Sequence, residues 1–241
     1  MYFVANWKMF GNLKSINSLN KVIKFSKSKA IKKGRLIYCP PYTLISSFFK
    51  KFENCLIDLG AQNCHESEDY GSHTGFINSK MIKSTGANYV ILGHSENRKK
   101  GESDQLINIK VKNAIKAKLK VIFCIGETLI EKKKKKTKAV LSKQIKLGLK
   151  KIKISSNIFI AYEPVWSIGT GNIPKSIDLE KTVEFIKKKF KGKSPKILYG
   201  GSVNTENIKD LKKITSLDGF LIGGASQNSN KFIDIVKKTY N

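Results

Sequence analysis

The stretch from Ile158 to Phe190, IFIAYEPVWSIGTGNIPKSIDLEKTVEFIKKKF, reads as one strand, one loop and one helix. Ile158 to Tyr162 is a short apolar run without a solvent face, the pattern of a strand covered on both sides. A glycine-punctuated segment follows. Leu179, Val183, Ile186 and Phe190 then recur at helical spacing, with Ser176 as the expected N-cap.

The same unit repeats in both directions along the chain. Further strand candidates are Tyr2–Asn6, Arg35–Cys39, Cys55–Gly60, Asn88–Gly93, Val121–Ile125, Lys196–Gly200 and Gly219–Ile222. Ile107, Val111, Ala114, Ile115 and Leu119 mark a second amphipathic helix. Repeated β-then-α implies an α/β fold with a parallel sheet, doubly wound or closed. Eight units in 241 residues favour a single (β/α)8 barrel domain, residues 1–241, with no linker or composition break to suggest a second one.

Composition narrows the partners. No apolar run approaches the roughly 18 residues of a membrane span, and the strand-like start at Tyr2 predicts no signal peptide. Cys39, Cys55, Cys64 and Cys124 contain no CxxC pair. Metal spacing and a disulfide framework are therefore not expected, which fits a reducing cytoplasm. The net charge of +28 raises nucleic acid and anionic membranes as partners. Yet of 46 basic residues only Arg35 and Arg98 are arginine, the residue on which nucleic-acid sites draw most heavily. The lysine runs Lys132–Lys136 and Lys187–Lys189 read as solvated helix faces or helix-entry loops. Neither a nucleic-acid nor a membrane partner is expected, although the charge should draw in anionic substrates at low ionic strength.

In a parallel barrel, chemistry sits on the loops that follow the strands' C-terminal ends. Polar residues gather at those ends: Asn6-Trp7-Lys8 after the first strand, Gly93-His94-Ser95-Glu96 after the fourth, Tyr162-Glu163-Pro164 after the sixth. Glycine pairs, Gly200-Gly201 and Gly223-Gly224, follow the seventh and eighth. Glycine lets backbone N–H groups approach an anion closely, so these pairs fit a phosphate cradle, where barrels often place one. His65 and His73 lack polar neighbours of this kind and read as loop residues. Cys124 ends a strand with no base adjoining it in sequence, and reads as packing.

Seven runs resemble the triosephosphate isomerase family, in the family's order and over nearly the whole chain. They are Asn6-Trp7-Lys8-Met9, Leu92-Gly93-His94-Ser95-Glu96, Cys124-Ile125-Gly126-Glu127, Ala161-Tyr162-Glu163-Pro164-Val165-Trp166, Ile168-Gly169-Thr170-Gly171, Tyr199-Gly200-Gly201-Ser202 and Leu221-Ile222-Gly223-Gly224-Ala225-Ser226. The resemblance implies interconversion of D-glyceraldehyde 3-phosphate and dihydroxyacetone phosphate, in glycolysis and gluconeogenesis, without a cofactor or metal and by a homodimer. It makes Glu163 the base and His94 a neutral electrophile, the pairing for which this family is the standard example. It also implies fixed positive charge from Lys8, a hydrogen bond from Asn6, a holding role for Glu96 beside Lys8, and phosphate binding by backbone N–H groups of Gly169, Ser202, Gly223 and Gly224.

The residues carry that chemistry on their own terms. Removing a carbon-bound proton needs a base, an oxyanion stabiliser and exclusion of water, because an exposed phospho-enediolate eliminates phosphate. Pro164, Val165, Trp166, Ser167, Ile168, Gly169, Thr170 and Gly171 read as a lid with a stiff apolar start, a glycine-rich tip and a Thr-Gly exit hinge. Another phosphate-binding barrel would share the glycine pairs without needing Asn6, Lys8, His94 and this lid together.

Some positions depart from the family pattern. Asn97 stands where the family usually has the first of two arginines, and Phe76 where its third loop usually has glutamate. In relatives that loop reaches into the neighbouring subunit and the two charges pair, so Phe76 and Asn97 are expected to be one coupled substitution. Ser167 replaces a usual alanine and Asn172 a usual lysine, with effects expected on lid motion at most. Gln227 replaces a usual leucine and is expected to face outward.

Overall fold

The computed structural model describes all residues except Lys29, Ala30, Lys32, Lys33, Lys191, Lys193 and Asn241. Eight strands pair in parallel and in chain order among the described residues: β1 Tyr2–Asn6, β2 Arg35–Cys39, β3 Ile57–Ala61, β4 Tyr89–Leu92, β5 Lys120–Ile125, β6 Ile158–Tyr162, β7 Lys196–Tyr199 and β8 Gly219–Ile222. The sheet closes where β8 pairs with β1, Tyr2 opposite Gly219 and Val4 opposite Leu221. The barrel expected from sequence is the fold observed. One strand sits later than expected. Pairing of Ile57 with Leu36 sets the start of β3, which leaves Cys55 and the exposed Leu56 in the preceding turn.

Closure explains the continuous apolar strands. Val4, Ile37, Ile91, Ile122, Phe159, Leu198 and Leu221 fill the inside of the barrel, while their neighbours Phe3, Leu36, Val90, Val121, Ile160, Ile197 and Phe220 pack outward against the helices. Both faces are buried, so neither needs polar residues. Side chains alternate with a period of two. One step past the inward apolar residues, that period brings Asn6 on β1 and Glu163 on β6 to the C-terminal mouth. The same step on β7 and β8 falls on Gly200 and Gly223. The mouth is thus polar on one side and bare on the other.

The two helices expected from periodicity are Asp104–Lys116 and Ser176–Lys188, which bury Ile107, Val111 and Ala114, and Leu179, Val183 and Ile186. Ser176 is not the N-cap. Pro174 leads into an extended Lys175, which takes the cap position without a side-chain cap bond, and Ser176 is already helical. Of the lysine run, Lys132–Lys136 lies on a short helix, Leu129–Lys133, and the turn after it, exposed as expected. One member does more: Lys132 Nζ stands 3.3 Å from the centre of the Trp166 ring. Among the described residues no helix is long and apolar enough to cross a membrane.

Candidate active site

A cavity of about 260 Å³ opens at the C-terminal mouth. Asn6, Lys8, His94 and Glu163 line it together with Gly169, Ser202, Gly223 and Gly224, and with Ile168 and Gly171 from the lid. Residues from β1, β4, β6, β7 and β8 meet there.

Glu163 follows β6 directly, its N–H bonded to Ile125 O at 2.8 Å. Its side chain is almost wholly buried. Burial pushes its carboxyl above the ordinary range, offset in part by His94, the Cys124 thiol, Lys8 and the Ser95 N–H. A raised carboxyl pKa makes a stronger base once the proton is lost. Cys124 therefore does adjoin a base, which sequence adjacency hid. Its own thiol is pushed well above its ordinary value, first by burial and then by Glu163, so it stays protonated beside the carboxylate, with Sγ 3.9 Å from Ile122 O.

Glu163 has room because of two glycines, one facing its side chain and one its main chain. A Cβ at Gly200 would stand 2.7 Å from Glu163 Cγ and 3.2 Å from Oε1. One at Gly126 would stand 1.8 Å from the Glu163 carbonyl oxygen. From sequence, Gly200 and Gly201 read as phosphate cradle alone; Gly200 is also the space the base occupies. Gly200→Ala should displace the carboxylate and lower kcat by about 100-fold, the scale of a misplacement near 1 Å. Steady-state kinetics with a melting curve would check this, and a variant within threefold of wild type would refute it.

His94 precedes the short helix Ser95–Lys99. Its Nδ1 accepts the Glu96 N–H at 3.3 Å, and its Nε2 lies 3.4 Å from Glu163 Oε1. An N–H donated to Nδ1 leaves Nε2 as the ring nitrogen that can donate into the cavity. Arg98 fixes the loop behind it, donating to Gly93 O at 2.7 Å and Cys124 O at 3.1 Å and pairing with Asp104 at 2.6 Å. Arg98 laces the ends of β4 and β5 together, a supporting role that its surface-lysine company concealed.

Lys8 has a φ of 55°, a left-handed conformation that disfavours a residue with a side chain. Strain of this kind costs about 1–3 kcal/mol and persists only where neighbours impose it. Asn6 Oδ1 accepts the Lys8 N–H at 3.1 Å, Gln62 donates to Lys8 O at 2.9 Å and to Cys39 O at 2.8 Å, and Trp7 Nε1 donates to Ser226 O at 3.1 Å. Gln227 donates to Trp7 O at 3.1 Å, so it faces inward, contrary to expectation, because a free carbonyl at the end of β1 lies within its reach. The Lys8 ammonium lies 2.6 Å from Glu96 Oε1. Partial burial pushes the Glu96 carboxyl up, but the Lys8 hydrogen bond and the Lys8 charge, among other causes, outweigh it and hold it below its ordinary value.

The lid starts at the buried Pro164 and a 3-10 turn, Val165–Ser167. Val165 N–H bonds Glu127 O at 3.0 Å, and Trp166 Nε1 donates to Glu127 Oε1 at 2.9 Å. Glu127, nearly inaccessible, also accepts from the Tyr162 hydroxyl; burial raises its carboxyl pKa, against the pull of the Trp166 bond. The Thr170 hydroxyl folds back on the carbonyls of Trp166 and Ser167, and Gly169 and Gly171 have φ of 72° and 79°. Gly171 N–H donates to Ser202 Oγ at 3.1 Å, which ties the lid's exit to the loop after β7. His65 and His73 lie in a loop, their rings 4.6 Å apart, with the Phe76 ring also 4.6 Å from that of His65.

The chain matches the family model described as triosephosphate isomerase over residues 1–239. It is 41% identical to the triosephosphate isomerase of Wolbachia pipientis wMel, over 98% of this chain and 92% of that protein. It is also 41% identical to that of Thermodesulfovibrio yellowstonii, over 98% of each. The crystal structure of triosephosphate isomerase from Bartonella henselae superposes with a TM-score of 0.88 at 37% identity, covering 97% of this chain and 96% of that one. With the barrel, the mouth and these matches in agreement, the chain belongs to the triosephosphate isomerase family.

Proposed function

We propose that this chain interconverts D-glyceraldehyde 3-phosphate and dihydroxyacetone phosphate by proton transfer, with Glu163 as the base. One observation carries the reading: the buried Glu163 carboxylate stands 3.4 Å from the His94 ring and shares one small cavity with the Lys8 ammonium. Glu163 takes the proton from the carbon next to the carbonyl, and the bonding pair moves onto the carbonyl oxygen to give an enediolate. His94 Nε2–H and the Lys8 ammonium stabilise the oxygen charge that develops, and Asn6 donates nearby. Glu163 then returns the proton to the neighbouring carbon, completing the isomerisation. Glu96 holds Lys8 in position. Backbone N–H groups of Gly169, Ser202, Gly223 and Gly224 bind the phosphate, and the lid over them keeps water from the enediolate.

The test is a coupled assay of glyceraldehyde 3-phosphate isomerisation by the purified protein. Fast turnover supports the reading. A folded protein without turnover overturns it.

The same reading makes the enzyme a cytoplasmic homodimer of glycolysis and gluconeogenesis. A second cavity, about 590 Å³, lies beside Lys8 and is lined by Met9, Tyr42, Phe76 and Asn97 among others. Met9 is fully exposed and Phe76 is 61% exposed, apolar surface of the kind that a partner covers. Phe76 and Asn97 then stand in for an ion pair across the interface. Loss of both charges can be nearly neutral where loss of one is costly. In sedimentation equilibrium, Phe76→Glu plus Asn97→Arg should dimerise far better than either single variant. Additive losses would refute the coupling.

A further inference from the structure

Ser167 has no exposed surface, and its hydroxyl is the most heavily bonded group in the lid. Oγ donates to Asn172 O at 2.5 Å, lies 2.9 Å from the Tyr199 hydroxyl, and accepts the Ser202 N–H at 3.3 Å. A hydroxyl has one proton to give and two lone pairs to offer. With its proton on Asn172 O, Ser167 accepts from both Tyr199 and Ser202, and its capacity is filled. Burial pushes the Tyr199 phenol up to about 12, so at ordinary pH it has the proton this bond requires.

A second hydroxyl completes the arrangement. Ser202 Oγ donates to Ser167 O at 2.6 Å while accepting from Gly171 N–H. Both ends of the lid, residue 167 at its start and residues 171 and 172 at its exit, are therefore tied to one point at the end of β7. Gly201 makes this approach possible, because a Cβ there would stand 2.2 Å from the Tyr199 hydroxyl and 2.6 Å from Ser167 Oγ. Alanine at position 167 could form none of the three side-chain bonds.

We propose that Ser167 is a positioning residue in this chain, whose hydroxyl latches both ends of the lid to β7 and so sets how long the bound substrate is shielded from water. The latch rests on the reading of the site given above. It acts through the lid and does not touch the reacting atoms. Holding the lid shut should tighten substrate binding, and should also suppress loss of phosphate from the enediolate, which follows when water enters.

The test compares wild type, Ser167→Ala, Tyr199→Phe and the double variant. Each protein is assayed for KM and kcat with glyceraldehyde 3-phosphate, and for inorganic phosphate released per isomerisation turnover. Ser167→Ala should raise KM by about three- to tenfold, the size of one net hydrogen bond, and by more than it lowers kcat. Phosphate release per turnover should rise as well, which a merely structural role would not produce. Tyr199→Phe should shift both readouts in the same direction, and the double variant should be little worse than the worse single, since both remove one shared contact. Unchanged KM and phosphate release in Ser167→Ala, or losses that multiply in the double variant, would overturn the latch while leaving the isomerase reading intact. If Ser167→Ala fails to fold, Tyr199→Phe alone decides by the same two readouts. A folded wild type that does not isomerise overturns the reading of the site, and the latch with it.

Discussion

Glu163→Gln should lose about two to four orders of magnitude in kcat, the usual scale of a general base, and should melt at a higher temperature than wild type at pH 7. The amide keeps the size of the carboxylate and cannot accept a proton from carbon. The stability gain follows from the same burial that makes the base. Because burial raises the folded carboxyl above its unfolded value, the folded state binds the proton more tightly. Its contribution to stability is fully present below the unfolded pKa and is lost as pH rises through the folded one. At neutral pH wild type thus holds a buried charge at a cost that glutamine removes. The melting advantage of the variant should shrink as pH is lowered through that window. In wild type, the acid limb of kcat/KM should lie above the ordinary carboxylate range, since only the ionised base works. Calorimetry from pH 4 to 8 with a pH–rate profile measures both (about the range in which such groups titrate). A variant that keeps wild-type turnover would remove Glu163 from the role of base.

Lys8→Met should lower kcat/KM by about 100- to 1000-fold, the scale of one lost electrostatic donor at a developing oxyanion, with little change in melting temperature. Methionine keeps an unbranched chain in the same left-handed backbone, so the strain held by Asn6 and Gln62 is unchanged. The ion pair lost with Glu96 is worth about 0–1 kcal/mol, because its partner is half exposed. Glu96, freed of its hydrogen bond, should titrate at a higher pH than in wild type. A large fall in stability, or activity within tenfold of wild type, would show that Lys8 serves the fold more than the chemistry.

The barrel itself was legible in the sequence. Eight short runs, most of them continuously apolar, separated by segments of helical period, allow few arrangements, and both signals are local. The polar residues at strand ends were legible for a related reason: Asn6 and Glu163 continue the two-residue alternation past the last apolar residue, and a charge there has no packing role. Where reading failed, the missing information was the local backbone path in one case and a contact between distant elements in the others. Ser176 has a capping residue's chemistry, but the path of Pro174 and Lys175 put the cap one residue earlier. Gln227 looked like a surface position until a carbonyl 220 residues away came within its reach. Cys124 had no base beside it in sequence because its neighbour, Glu163, arrives from the next strand.

The sequence by itself therefore determined the alternation of strands and helices, the parallel sheet they imply, and which polar residues stand at the strand ends, because each depends on periodicity and on the chemistry of neighbours along the chain. Only the tertiary structure decided what each glycine and hydroxyl does there. Gly200 makes room for the base, Gly201 makes room for the bond between Ser167 and Tyr199, and Gly223 comes within 3.3 Å of the Lys8 side chain at the position a Cβ would take. A glycine in a sequence says that a side chain is missing; what occupies the space is set by side chains that barrel closure brings in from other strands.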